Sequence, residues 1–278
     1  MTLSFPPFTR AIKTLIGINA GIYLLLIALA ALRQGPAAAA IVDFLMLRAS
    51  HVAHGKIYEL VTYGFVHGGF FHLFFNMLML WMFGSMLETA WGSRKFWEFY
   101  LFGIIGAGLG TVLLAYTLGS IVHLSPNTPT LGASGGIYAI LMATGMLFGN
   151  QEVYLFPFPI AIRLKYLVGI LAFIALVGAL GDAGDTANVA HLSGLLFGYI
   201  YVKFVPRRGL AFAFSETSYG IRNRYHRWKL NRSKKKFQVY MRKHGQDPKD
   251  YFDEYGNFRD PSTRDRKSNG DSRGGYVN

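Results

Sequence analysis

None of the 278 residues is cysteine, which excludes disulfide frameworks, thiol nucleophiles and thiolate metal sites. Charge is scarce too. Only 15% of the chain is Asp, Glu, Lys or Arg, where soluble domains carry about a quarter. Acidic residues are the rarer kind, 15 against 28 basic ones, for a formal net charge of +13. What charge there is sits at one end. Residues 1–205 hold 10 Lys/Arg and 7 Asp/Glu, net +3, while residues 206–278 hold 18 and 8, net +10. With 52% hydrophobic residues and a mean hydropathy of +0.28, the chain reads as an apolar body with a basic tail. An ordinary soluble enzyme is excluded.

A hydrocarbon core of about 30 Å is crossed by roughly 20 apolar residues in a helix. Six segments qualify: 12–32, 70–90, 95–118, 133–149, 166–182 and 187–205. The expected fold is therefore all-α, a polytopic membrane bundle of six transmembrane helices at 12–205. A short cytoplasmic N-terminus (1–11) precedes it, and a basic, partly disordered cytoplasmic tail (206–278) follows. The first segment is long and apolar, with no small-residue cleavage site after it, and reads as a retained span. Arg10 and Lys13, Arg94 and Lys95, and Arg163 and Lys165 mark alternate connections, and the positive-inside rule then places both termini in the cytoplasm. The long 33–69 connection, apolar and weakly charged, is expected to lie in the interface as short helices. No transit peptide or eukaryotic sorting signal is read, which points to a bacterial inner membrane.

Polar groups inside spans are costly and mark function by default. Here they are His72 and Asn76, Ser134, and His191, each within the first turns of a span that runs inward. Ser134 lies in Gly132-Ala133-Ser134-Gly135-Gly136. It reads either as a helix N-cap in a small-residue packing motif or as a nucleophile whose helix N-terminus receives an oxyanion. His191 precedes Gly194 and Gly198, a G-x-x-x-G stripe that brings backbones together. It reads as packing or as a base brought to the serine, with Tyr138, one turn below Ser134, stacked on its ring. His72 and Asn76, at i and i+4 with His67 upstream, read as a polar pair stitching helices or as oxyanion donors. No H-E-x-x-H motif or nearby carboxylate supports a metal. His51 and His54 read as incidental.

Three motifs in this order, His67…His72-x-x-x-Asn76, Gly132-Ala133-Ser134-Gly135 and Ala190-His191-x-x-Gly194-x-x-x-Gly198, give residues 10–205 a resemblance to the rhomboid intramembrane serine proteases. The resemblance implies a Ser134–His191 dyad and an oxyanion hole of His72, Asn76 and the Ser134 N–H. It also implies that Tyr138 orients the base and that Gly194 and Gly198 are packing glycines. Glu88 with Trp91-Gly92 resembles the family's acidic residue and glycine at the inner end of the second span. Transmembrane proteins would be the substrates, with no cofactor and no metal. The chain departs from the family at Tyr58-Glu59, where a Trp-Arg pair is common.

The rival readings are a catalytically inactive rhomboid-like protein that binds membrane clients, and a transporter or channel. The second would want intramembrane charges or a repeat, and neither is read in the sequence. An aspartyl protease would need a partner for Asp182, the near miss in Ala179-Leu180-Gly181-Asp182. In the tail, basics interleaved with aromatics from Ile221 to Tyr240 favour anionic lipid headgroups, and nucleic acid is not expected. Residues 246–278 read as disordered.

Overall fold

A computed structural model describes residues 6–154, 161–181, 186–206 and 209–245, with 247 and 251. It is mostly helical. Helix α1 (Arg10–Ala31) is an apolar run whose own N-cap, Thr9, makes no side-chain cap bond. Its first amides are satisfied from elsewhere: the Glu88 carboxylate accepts Ala11 N–H at 2.8 Å and Ile12 N–H at 3.1 Å. The same carboxylate accepts the hydroxyls of Thr9 and Ser93, the latter at 2.6 Å. An anion at a helix N-terminus also answers the helix dipole, so one buried glutamate fastens α1 to the far end of the second span.

The 33–69 connection folds as three short helices, α2 (Gly35–Leu45), α3 (Ala49–Ala53) and α4 (Glu59–Thr62), the last running into a 3-10 turn at Tyr63–Phe65. Pro36 sits in the first turn of α2, where its missing N–H is no loss. The second span is α5 (Phe70–Met79) and α6 (Ser85–Trp91), joined by a π-helical turn at Leu80–Gly84. Gly92, at φ 79°, makes the sharp bend into α7 (Ser93–Thr117) that a side chain would resist. Then come α8 (Ser134–Phe148), α9 (Leu164–Leu180) and α10 (Thr186–Phe204). Helix α11 (Leu210–Lys243) follows.

Each of the six apolar segments is helical, the second through a π-helical turn, with ends within two residues of the sequence reading. Among the described residues three are long and apolar enough to cross a bilayer by length and composition: Arg10–Ala31, Phe70–Trp91 and Ser93–Thr117. Helices α8 and α9 are shorter, at 15 and 17 residues. To this mostly helical fold the connection between them adds a small antiparallel hairpin, β1 (Glu152–Tyr154) with β2 (Ala161–Arg163). Its register pairs Glu152 with Arg163, whose side chains lie 3.8 Å apart. Asp182 and nearly all of 246–278 fall outside the described residues.

Helix α8 forms the centre, packed chiefly on α10 and α7. The packing is backbone to backbone. A methyl on Gly194 would run into the Gly135 carbonyl oxygen, and one on Gly198 would stand 2.6 Å from the carbonyl oxygen of Ala139. Gly103 on α7 lies so close to α8 that a methyl there would stand 2.7 Å from the Ala139 Cβ, and Gly106 receives the Phe197 ring of α10. Small residues let helices approach where no hydrophobic force drives them together. The sequence reading names the glycines of α8 and α10 but not their counterparts on α7.

Contacts divide the chain into two units, Met1–Leu210 and Ala211–Asn278. The first ends where Glu98 accepts the Leu210 N–H and the Tyr201 hydroxyl, each at 2.6 Å. In the second, α11 carries ten Lys and Arg against Glu216 alone. Tyr219, Tyr225, Trp228 and Tyr240 are exposed among them. The sequence reading assigns no element here.

Candidate active site

Ser134 is the first residue of α8, so its hydroxyl stands beside backbone N–H groups that have no partner within the helix. Gly132, two residues earlier, is at φ 115°, a conformation that side chains resist. Space is equally restrictive: a methyl there would lie 2.7 Å from His72 Nε2 and 3.9 Å from Ser134 Oγ. The glycine thus brings the imidazole of α5 and the hydroxyl of α8 to one backbone position.

Tyr138 is one turn further along α8. Its ring lies flat on that of His191, with centroids 3.9 Å apart and planes 3° from parallel. Residues far apart in sequence converge because α10 rides on α8 through Gly194 and Gly198, leaving His191 beside the first turns of α8. Ser134, Tyr138, His191, His72 and Asn76 line a single cavity of about 420 Å³. Its remaining wall is apolar, with Phe71 and Phe75 from α5 and Leu171 from α9. A larger hollow of about 510 Å³ at the other end of α8 is lined by Gly149, Asn150, Gln151 and Lys165. It has no serine or histidine on its wall.

Asn76 is buried and donates one amide N–H to the His72 carbonyl at 2.9 Å; a carboxamide has a second to give. His67 does not line the cavity. It stands behind His72 with ring centroids 5.1 Å apart, and its Nε2 accepts the Ala133 N–H at 3.5 Å. Burial pushes its imidazole down to about 4, and the neighbouring His72 adds to the effect. Neutral His67 is thus an acceptor that holds the residue before Ser134. Gly135 packs against Ala107 and the Tyr63 hydroxyl.

The connection between α1 and α5 grips this region in ways the sequence reading misses. Gly132 N–H donates to the Tyr63 carbonyl at 2.9 Å, and Leu47 exchanges backbone hydrogen bonds of 2.9 and 2.8 Å with Thr130. His51, read as incidental, is corrected: its Nδ1 lies 2.8 Å from Oε1 of fully buried Glu59. A glutamate and a histidine within one apolar loop were the available signal. A hydroxyl at a helix N-terminus, an imidazole and N–H donors around one cavity are the components of acyl transfer.

A family model for the rhomboid domain matches residues 54–208, more than half of the chain and all of the cavity's polar residues. The chain belongs to the rhomboid family. Among its rhomboid relatives, Rhomboid protein 1, mitochondrial, of Saccharomyces cerevisiae is 30% identical over 162 residues, 56% of this chain and 43% of that protein. Rhomboid-like protein 16, chloroplastic, of Arabidopsis thaliana is 28% identical, with 46% and 41% covered. Rhomboid protease GluP of Bacillus subtilis is 33% identical over 108 residues, 38% of this chain and 19% of that protein. The chain thus spans less than half the length of each of these relatives. The rhomboid match makes it an integral, multi-pass membrane protein. Their names span mitochondrion, chloroplast and bacterium, so the comparisons do not favour a bacterial inner membrane over an organelle's.

Proposed function

We propose that this rhomboid is an active intramembrane serine endopeptidase that cleaves within or near transmembrane helices of membrane proteins. Ser134 attacks the scissile carbonyl, His191 takes its proton and later returns it to the leaving amine, and water releases the acyl-enzyme. His72, Asn76 and the Ser134 N–H receive the oxyanion. The observation that carries the reading is the parallel stack of His191 on Tyr138 in the cavity that also holds Ser134. A stacked imidazole keeps one orientation, which is what a general base requires.

The cavity's apolar wall of Phe71, Phe75 and Leu171 lies between α5 and α9, a route for a substrate helix arriving from lipid. Such a helix hides its carbonyls in its own hydrogen bonds, so it must unwind before it can be cut. Substrates with Gly or Pro near the scissile bond are expected. The six-span count and cytoplasmic termini belong to the same proposal. One part of it, an N-terminus on the side of the α6–α7 turn, is supported by Glu88, which ties the start of α1 to Ser93 beside Arg94 and Lys95. The proposed domain division is a short N-terminus (1–11), a protease domain (12–205) and a tail (206–278). The tail, with its single-sign charge and exposed aromatics, is proposed to bind anionic lipid headgroups, each well-placed cation adding about 1 kcal/mol.

The test is cleavage of a reporter transmembrane helix by purified protein in liposomes. A helix with a central Gly-Pro pair is expected to be cut by wild type and not by Ser134→Ala. Equal cutting of a breaker-free leucine-alanine helix would contradict the substrate class, and cutting by Ser134→Ala would contradict the nucleophile.

A further inference from the structure

Glu59 is a carboxylate with no solvent exposure in a loop, at the first turn of α4. Its Oε2 accepts the Arg48 N–H at 3.0 Å and its Oε1 faces His51 Nδ1 at 2.8 Å. Arg48 is the N-cap of α3 and pairs through its guanidinium with Asp43 of α2 at 2.7 Å. Glu59 thus joins the arm carrying α3 to the arm carrying α4. Both arms hold the segment leading to Ser134. On one side Leu47, next to Arg48, is bridged to Thr130, and Ser50 N–H donates to the Pro126 carbonyl at 2.9 Å. On the other, Tyr63 accepts the Gly132 N–H through its carbonyl and anchors to α7 by its hydroxyl on the Ile104 carbonyl at 2.8 Å.

We propose that Glu59 is a positioning residue for Ser134: by joining the two arms it fixes segment 130–133 and so the place of the nucleophile. This rests on the protease reading of Ser134. Removing a buried acceptor leaves its donors unsatisfied, and the arms can satisfy them only by parting. Beside the carboxylate stand Arg48, His51 and Tyr58, and Asp43 lies against the Arg48 guanidinium. The outer half of α7 offers only Tyr116, and the 118–131 segment only His123.

The substitutions separate this role from plain stability. Glu59→Ala loses both acceptors at any pH. Glu59→Gln keeps the shape. Its oxygen accepts the Arg48 N–H and its amide faces His51. The full chain in detergent is labelled with a fluorescent fluorophosphonate at about pH 8 and about pH 5.5. Exchange of the Leu47, Thr130 and Gly132 amides is followed in parallel. Glu59→Ala is expected to label about ten- to a hundred-fold more slowly at both pH values, the size of effect a misplacement of about 1 Å produces. Glu59→Gln, which keeps an acceptor for the Arg48 N–H, is expected to label faster than Glu59→Ala at both pH values. A wild-type labelling rate in Glu59→Ala, or a Glu59→Gln no faster than Glu59→Ala, overturns the proposal. Failure of wild type to label overturns the protease reading instead. The clamp is then judged by exchange alone: faster exchange of the three amides in Glu59→Ala supports it, and unchanged exchange overturns it.

Discussion

A serine hydroxyl in water is a poor nucleophile, and in the proposed dyad what Ser134 would gain comes from a few side chains at fixed places. Tyr138 is the simplest to test. Tyr138→Phe keeps the 3.9 Å stack on His191 and is expected to retain most of the labelling rate. Tyr138→Ala frees the imidazole to rotate and should slow labelling about ten- to a hundred-fold. Equal rates for the two variants would mean that the stack does not orient the base. His67 bears on stability. Its folded value near 4 lies below the ordinary 6.5, so above about pH 6.5 both folded and unfolded forms are neutral and stability is complete. As pH falls towards 4 the unfolded chain takes up the proton first, and stability drops by about 1.4 kcal/mol per unit. Melting in detergent across this range should show that acid-side slope, and His67→Asn should flatten it. Ser134, His191, His72 and Asn76 were legible because each interrupts an apolar run. Glu59 and His51 were not. Their presence in an apolar loop was a signal, but the loop holds other charges and histidines, and which of them pair depends on how it folds back on itself.

At the scale of elements, two joints decide whether the residues meet. The α8–α10 seam depends on glycines: Gly198 leaves no room for a Cβ beside the Ala139 backbone, and neither backbone can yield. Gly198→Val is expected to force the helices apart, at a cost of about 1–3 kcal/mol or more. It should lower the melting temperature and abolish labelling together; normal labelling in a well-folded Gly198→Val would show that the seam does not set the dyad. The G-x-x-x-G spacing made this joint legible on α10. The matching stripe on α7 went unread although Gly106 and Gly110 repeat the same spacing, facing Phe197 and Ser193 of α10. The second joint is Glu88 at the start of α1. Glu88→Ala leaves the Ala11 and Ile12 amides without acceptors, a loss of about 1.5–3 kcal/mol for each charge-assisted bond. Those two amides should exchange faster while the Gly132 amide does not, and uniform acceleration would mean that Glu88 holds the whole bundle.

For the whole molecule, composition alone separated an apolar body from a basic tail, because bilayer thickness imposes long uncharged runs that no soluble core requires. It gave no warning of the hairpin at Glu152–Arg163 or of the helix Leu210–Lys243. The first is too short to show a period, and the second spreads its cations around the helix without an apolar face. Removing residues 211–278 should leave labelling at the wild-type rate while weakening adhesion of the tail to vesicles rich in phosphatidylserine. That adhesion should fade as salt rises from about 0.1 to about 1 M. The central claim, that Ser134 is an activated nucleophile served by His191, is tested most directly by fluorophosphonate labelling of purified wild type, Ser134→Ala and His191→Ala in mild detergent. The account predicts covalent labelling of wild type alone. A folded wild type that stays unlabelled, or label that survives Ser134→Ala, would contradict it.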